Sequence, residues 1–298
     1  MMTTPSPFCG LSAFPITPAD SEGRVDTELL ARLVERICIS GAASIGLLGS
    51  TGTYAYLSRA ERRRAVAATA ECVAGRLPII VGVGAMRTDE AQALARDAEA
   101  SGADALLMAP VSYTPLTDDE VYWHYRTVAG STGLEFCIYD NPSTTHFSFG
   151  YDLLERLSKV EQIAAVKRPP PADGDFAGEI ATLKTRTGFA IGYSADWTMR
   201  PALLAGADAF YSVIAGMIPE LAVRLAKAAR MGHEEEALRL DSACGPLWEL
   251  FKAFGSLRVM YALLELLELG RAELPRPLLP LGMTERQRIE KALETLPA

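Results

Sequence analysis

Lysine is scarce in this chain of 298 residues, with six against 23 arginines, and histidine is scarcer at three. His124, His146 and His233 lie far apart with no metal-ligand spacing, which argues against a metal-dependent reaction. Five cysteines (Cys9, Cys38, Cys72, Cys137, Cys244) are scattered without a CxxC pair. They build neither a disulfide framework nor a zinc ribbon, and free thiols buried in a reducing cytoplasm are the expectation. No segment reaches about 18 uninterrupted apolar residues, and no basic stretch followed by an apolar one opens the chain. Neither membrane spanning nor secretion is expected; the cytoplasm is. A basic stripe is also missing: the formal net charge is −8, and Arg62-Arg63-Arg64 reads as the solvated face of a helix, so nucleic acid is not an expected partner. A dinucleotide fingerprint is absent too, since GVGAMR at 82 lacks the third glycine. What remains, at 49% hydrophobic and 22% charged residues, is a compact, mildly acidic protein.

Eight short apolar runs recur along the first two-thirds: 8–17, 43–49, 77–85, 103–110, 135–140, 163–168, 188–193 and 209–214. Segments with helical periodicity separate them, several opened by Asp, Ser or Thr as caps. Strand alternating with helix predicts parallel strands covered on both faces, which explains their near-continuous apolar composition. SGAASIGLLG at 40, SGADALLMAP at 101 and AGADAFYSVI at 205 form a weak repeat in which a helix stops at glycine before a strand. Eight such units predict an α/β fold, a closed (β/α)8 TIM barrel, over residues 1–230. Residues 231–298 read as a C-terminal helical extension packed on it, with PRPLLPLG at 275–282 as a loop.

In such a barrel the active site lies at the C-terminal ends of the strands. Polar residues there are Ser50, Thr51, Ser112, Tyr113, Tyr139, Lys167 and Gly192 to Ser194. Among the six lysines only Lys167 ends an apolar run. A lysine there either sends its ammonium out to water or stands in an apolar wall that disfavours the charged form and leaves an amine able to attack a carbonyl. Tyr139 brings a phenol to the same rim, as a core tyrosine with a satisfied hydroxyl or as the proton carrier that carbinolamine formation needs. Ser50 and Thr51, flanked by glycines, form a plain tight turn or a carboxylate cradle. Arg168 should point away from Lys167 by strand alternation and serve a structural ion pair. Core packing is the expectation for Tyr193 and Trp197.

GSTG at 49–52, Tyr113, Y-x-N-P-S at 139–143, Val166-Lys167 and GYSAD at 192–196, in this order, resemble the dihydrodipicolinate synthase / N-acetylneuraminate lyase family of class I aldolases. The resemblance covers nearly the whole chain. It implies that Lys167 forms an imine with pyruvate or another 2-oxo acid, and that Tyr139 relays protons. It further implies that Ser50 and Thr51 bind the carboxylate and that Tyr113 is lent to a neighbouring subunit, which calls for a homo-oligomer, a dimer or tetramer. Thr144, Gly192 and Tyr211 complete the substrate-binding set. Four departures touch the far end of the substrate. Thr53 stands where the family has glutamate after the turn, and Thr144 where the synthase branch has arginine. Ser194 and Ala195 replace the acidic residues of the lyase branch, and Pro169 its small hydroxyl residue two after the lysine.

The expected activity is therefore that of a Schiff-base lyase making or cleaving a carbon–carbon bond next to a 2-oxo acid, with an aldehyde as the other small-molecule partner. It needs no metal or organic cofactor, because the imine stabilises the carbanion. The alternatives are a dehydratase of a deoxy-oxo sugar acid, 4-hydroxy-tetrahydrodipicolinate synthesis proper, and a 2-oxo acid binder without turnover.

Overall fold

The computed structural model describes residues 6–297. Eight parallel strands close on themselves in sequence order: β1 (Gly10–Ala13), β2 (Ser44–Leu47), β3 (Ile79–Gly82), β4 (Ala105–Met108), β5 (Glu135–Tyr139), β6 (Ile163–Arg168), β7 (Ala190–Tyr193) and β8 (Ala209–Ser212), with β8 pairing back onto β1. This is a TIM barrel, and each strand lies within the apolar run expected for it. The helices between strands are α1 (Thr27–Ser40), α2 (Arg59–Val73), α3 (Thr88–Ala100), α4 (Asp118–Ala129), α5 (Pro142–Thr145), α6 (Tyr151–Leu157), α7 (Phe176–Thr187) and α8 (Met199–Leu204). After β8 come α9 (Pro219–Arg230), α10 (Glu234–Phe254), α11 (Ser256–Leu266) and α12 (Met283–Leu293), with no strand among the last three and an irregular stretch over 275–282.

Local chemistry sets the helix ends. Asp26 and Ser58 accept backbone N–H bonds at the starts of α1 and α2, and Thr117 opens α4 in a reciprocal capping box with Glu120. The three glycines of the repeat, Gly41, Gly102 and Gly206, have φ of 91°, 98° and 90°. A side chain would clash with the backbone there, so these positions stop the helix and turn the chain into the next strand.

Alternation divides the strands between two apolar layers. Ile45, Leu106, Ile138, Val166, Ile191 and Phe210 face the helices, in a large cluster that continues through α9 to α12. Ile80, Leu107, Cys137, Tyr139, Ala165, Ala209 and Tyr211 fill the inside of the barrel with Phe8 below and Phe14 above. Two inner glycines make room for rings: a Cβ on Gly46 would lie 2.1 Å from the Phe14 ring, and one on Gly192 would lie 2.4 Å from that of Tyr211. Small residues are thus required beneath the large ones that floor the barrel mouth.

Two surface expectations change. Arg62 belongs to no solvated face: it is buried, lies over the Tyr54 ring at 5.1 Å and donates to the carbonyl of Gly84 at 3.0 Å. The RRR run on α2 therefore splits, because successive residues on a helix point in different directions. Among the cysteines, all free, Cys137 and Cys244 are buried, Cys38 and Cys72 are half-buried, and Cys9 is exposed.

Candidate active site

At the C-terminal rim the strand ends and following loops surround a cavity of about 560 Å³, within the size range of small-molecule sites. Lys167 stands at its floor, and only 4% of the residue is exposed. It points inward because β6 alternates: Ala165 and Lys167 face the barrel interior, and Arg168 faces out. Register places Tyr139 on one side of Lys167 and Gly192 on the other. The ammonium-bearing end packs among aromatic rings, with Nζ 3.9 Å from the centroid of Tyr139, 4.2 Å from Phe14 and 5.6 Å from Tyr211. Among the described residues no carboxylate comes within 4.0 Å of it, unlike Lys184 and Lys252, each held by an acid.

Tyr139 ends β5, and its hydroxyl sits in a small polar triangle. Ser50 Oγ is 3.4 Å away, and Asn141 Nδ2 donates to Tyr139 at 3.1 Å and to Ser50 at 3.2 Å. Thr51 lines the same wall, on the turn that leaves β2. Tyr54 follows, buried in the cavity wall, and burial with the neighbouring Tyr139 pushes its phenol up to about 12. Below, burial raises Cys137 to about 12, and its thiol meets the Tyr211 hydroxyl at 3.6 Å. Both groups are buried, and Tyr211 also lines the cavity.

Asp196 is the acidic residue in the cavity wall, and it is occupied. Its carboxylate accepts the Ser212 hydroxyl at 2.6 Å and the N–H groups of Val213 and Ile214, both at 3.2 Å. Burial raises its pKa, and those hydrogen bonds work against the rise. The effect is to tie the loop after β7 to the loop after β8.

Outside the strands, Arg168 bridges two buried acids, Asp140 at 3.4 Å and Glu179 at 3.1 Å, as expected of a structural pair. Tyr193 joins it by donating to Glu179 at 2.7 Å, so it packs toward the helices. Trp197 packs against the core as expected, and it also lines the cavity.

The structure brings Lys167, Tyr139, Ser50, Thr51, Thr144 and Tyr211 together around one space. Gly192 is buried beneath the Tyr211 ring, outside the cavity lining. Tyr113 also lies outside it and is 95% exposed. Residues without a sequence assignment join the lining: Phe14, Asn141, Tyr54 and, from the first turn of α11, Arg258. Asn141 carried a signal, its place inside Y-x-N-P-S. Arg258 carried none, because α11 reaches the mouth only through tertiary packing. No group of three or more His, Cys, Asp or Glu among the described residues is arranged to hold a metal.

The chain belongs to the dihydrodipicolinate synthetase family, whose model matches residues 7–296. It is 31% identical to the 4-hydroxy-tetrahydrodipicolinate synthase of Stutzerimonas stutzeri (strain A1501), over 93% of this chain and 94% of the relative. A dihydrodipicolinate synthase structure from Agrobacterium tumefaciens str. C58 is 55% identical, covers 99% of this chain and 100% of that one, and superposes with a TM-score of 0.97. A chloride-inhibited dihydrodipicolinate synthase from Acinetobacter baumannii, complexed with pyruvate, is 28% identical with a TM-score of 0.88, covering 97% and 98%. Members of the family are Schiff-base lyases of the aldolase type, and this chain is an enzyme of that class.

Proposed function

We propose that Lys167 is the imine-forming residue, that pyruvate is its 2-oxo acid, and that Tyr139 carries the protons. The observation that bears the most weight is the pairing of the two residues across β5 and β6, with Nζ 3.9 Å from the tyrosine ring at the floor of a cavity. The amine attacks the ketone carbon, and the oxygen, protonated through Tyr139, leaves as water to give a protonated imine. Loss of a proton from the adjacent carbon sends its electron pair toward the imine nitrogen and forms an enamine. The enamine carbon then bonds to the aldehyde carbon, whose oxygen takes up a proton, and water releases the product and restores the amine. Cleavage runs through the same steps reversed.

Ser50 and Thr51 hold the pyruvate carboxylate next to this centre. Asn141 fixes the Tyr139 hydroxyl by donating to it, which leaves the phenol proton directed elsewhere, toward Ser50 or the substrate. Thr144 and Tyr211 line the remainder, and Gly192 acts by leaving room for Tyr211. The exposed Tyr113 side chain supports a role at a neighbouring subunit's site, within a cytoplasmic homo-oligomer, a dimer or tetramer.

The test is incubation of the protein with pyruvate and borohydride followed by mass measurement. Wild type gains one reduced pyruvate adduct on Lys167 and Lys167→Ala gains none; an adduct that persists in Lys167→Ala ends the assignment. A second reading, 4-hydroxy-tetrahydrodipicolinate synthesis itself, is favoured by the activity named for the relatives. Analysis of the product formed from pyruvate with each candidate aldehyde separates it from other aldol outcomes.

A further inference from the structure

Arg258 stands in the wall of the cavity, and with Lys167 it supplies the cationic side chains of the lining among the described residues. Half-buried guanidinium groups elsewhere in the chain are held by acids: Arg200 by Asp241 at 3.1 Å, Arg286 by Glu265 at 2.8 Å, Arg186 by Asp152 and Glu155. Arg258 has no carboxylate within 4.0 Å among the described residues. Its one protein contact of hydrogen-bond type among the described residues is Nη1 donating to the carbonyl of Phe254 at 3.5 Å, long for such a bond.

Of the acids lining the two cavities that Arg258 borders, Asp196, Glu265 and Glu273, the first two are engaged by other groups. Glu265, across the second cavity that Arg258 also lines, is taken by Arg286, and Asp196 is occupied by Ser212, Val213 and Ile214. A guanidinium offers five donors in a planar fork and keeps its charge at all working pH values. Placed in a concave site with no carboxylate within 4.0 Å among the described residues, such a group is positioned to take an anion from the ligand.

We propose that Arg258 binds a carboxylate on the acceptor half of the substrate, so that the aldehyde partner is an oxo acid with its charged group distal to the imine. This deepens the Schiff-base reading above and rests on it. Ser50 and Thr51 engage the pyruvate end, and Arg258 grips the far end, together with the apolar Leu257 and Leu278 that line the same cavity. The loop after β5 offers Asn141, Ser143, Thr144 and Thr145 to the cavity and no cation. The selectivity that a charged residue on that loop would supply therefore comes from the C-terminal helices. Arg258 is a specificity residue, not a participant in proton transfer.

The experiment uses the full chain as wild type, Arg258→Leu and Arg258→Lys. Each is first trapped with pyruvate and borohydride, then assayed for carbon–carbon bond formation between pyruvate and either succinic semialdehyde or butanal, which share a carbon count and differ in the carboxylate. All three proteins are expected to give the lysine adduct. Arg258→Leu should lose about 10- to 100-fold in kcat/KM for succinic semialdehyde, mostly through KM, as befits one charged hydrogen-bonding partner. Its rate with butanal should stay within about twofold of wild type, and Arg258→Lys should fall between the two on succinic semialdehyde. Wild type that forms the adduct but shows no preference for the charged aldehyde, or that uses neither, overturns the proposal, as does an unchanged preference in Arg258→Leu. If wild type forms no adduct, the Schiff-base reading itself falls and takes this inference with it. Adduct formation in the variants shows that the site has folded, and Arg258→Lys carries the comparison if Arg258→Leu gives none.

Discussion

Tyr139 and Lys167 are register partners on neighbouring strands, and the lysine nitrogen lies 3.9 Å from the centre of the tyrosine ring. Register pairing on adjacent parallel strands sets two inward residues side by side, so the phenol and the amine meet without any contribution from loops. Rigid strands fix both groups, and that favours a reaction in which proton transfer and covalent attack share one centre.

Tyr139→Phe keeps the ring beside Nζ and removes only the hydroxyl. The expected result is a fall in kcat of about 10²- to 10⁴-fold. The thermal midpoint should hardly change, and the adduct should still be trapped when incubation is prolonged. Steady-state kinetics beside a timed trapping series checks it; a wild-type kcat would remove Tyr139 from the proton path.

Gly192→Ala would put a methyl group 2.4 Å from Tyr211 Cε2 and 3.1 Å from Ala209. Overpacking of this kind costs about 1–3 kcal/mol. The displaced Tyr211 ring lies under the amine, so KM for pyruvate should rise along with the loss of stability. Thermal melting and kinetics on the same preparation show both effects, and an unaltered melt would mean the ring has space to move that the packing does not indicate.

Arg168→Met leaves Asp140 and Glu179 buried without their cation. Breaking a buried ion network on one side costs about 3–5 kcal/mol, and denaturant unfolding should show a loss of that order. Because Arg168 points away from the cavity, the folded fraction should still form the lysine adduct at low temperature. Loss of the adduct with unchanged stability would place Arg168 in the chemistry.

Asp140 provides a pH test. Burial raises its pKa from 3.8 to about 6, against the lowering influence of Arg168. Between those two values the folded chain binds more protons at this group than the unfolded chain, so its contribution to stability is fully present below about pH 4 and is lost as pH rises through 6. Asp140→Asn removes this dependence. The stability of wild type relative to Asp140→Asn should therefore decline from pH 4 to pH 7, by roughly 2–3 kcal/mol in all. Urea unfolding at stepped pH measures the difference, and a rise over that interval would contradict the assigned direction.

The strands, the repeat glycines and the lysine at the end of an apolar run were legible because each rests on local rules. A parallel strand buried on both faces must be apolar, a helix stop followed by a turn into a strand needs φ near +90°, and a cation ending such a run is conspicuous whether it serves water or the site. The burial of Arg62 was not legible. Whether a helical arginine meets solvent or a tyrosine ring depends on what the next layer presents. Tyr113 shows the converse: its motif drew it into the site, but within one chain its side chain stands in solvent.

Alternation along β6 was enough to put Lys167 inside the barrel and Arg168 outside it, since a pleated strand leaves side chains no other choice. Tertiary packing alone decided that α11, about 90 residues further along the chain, brings Arg258 to the same cavity with no carboxylate within 4.0 Å among the described residues. Strand patterning is a property of neighbours in sequence, whereas a charge left unpaired in a cavity is a property of everything that packs around it.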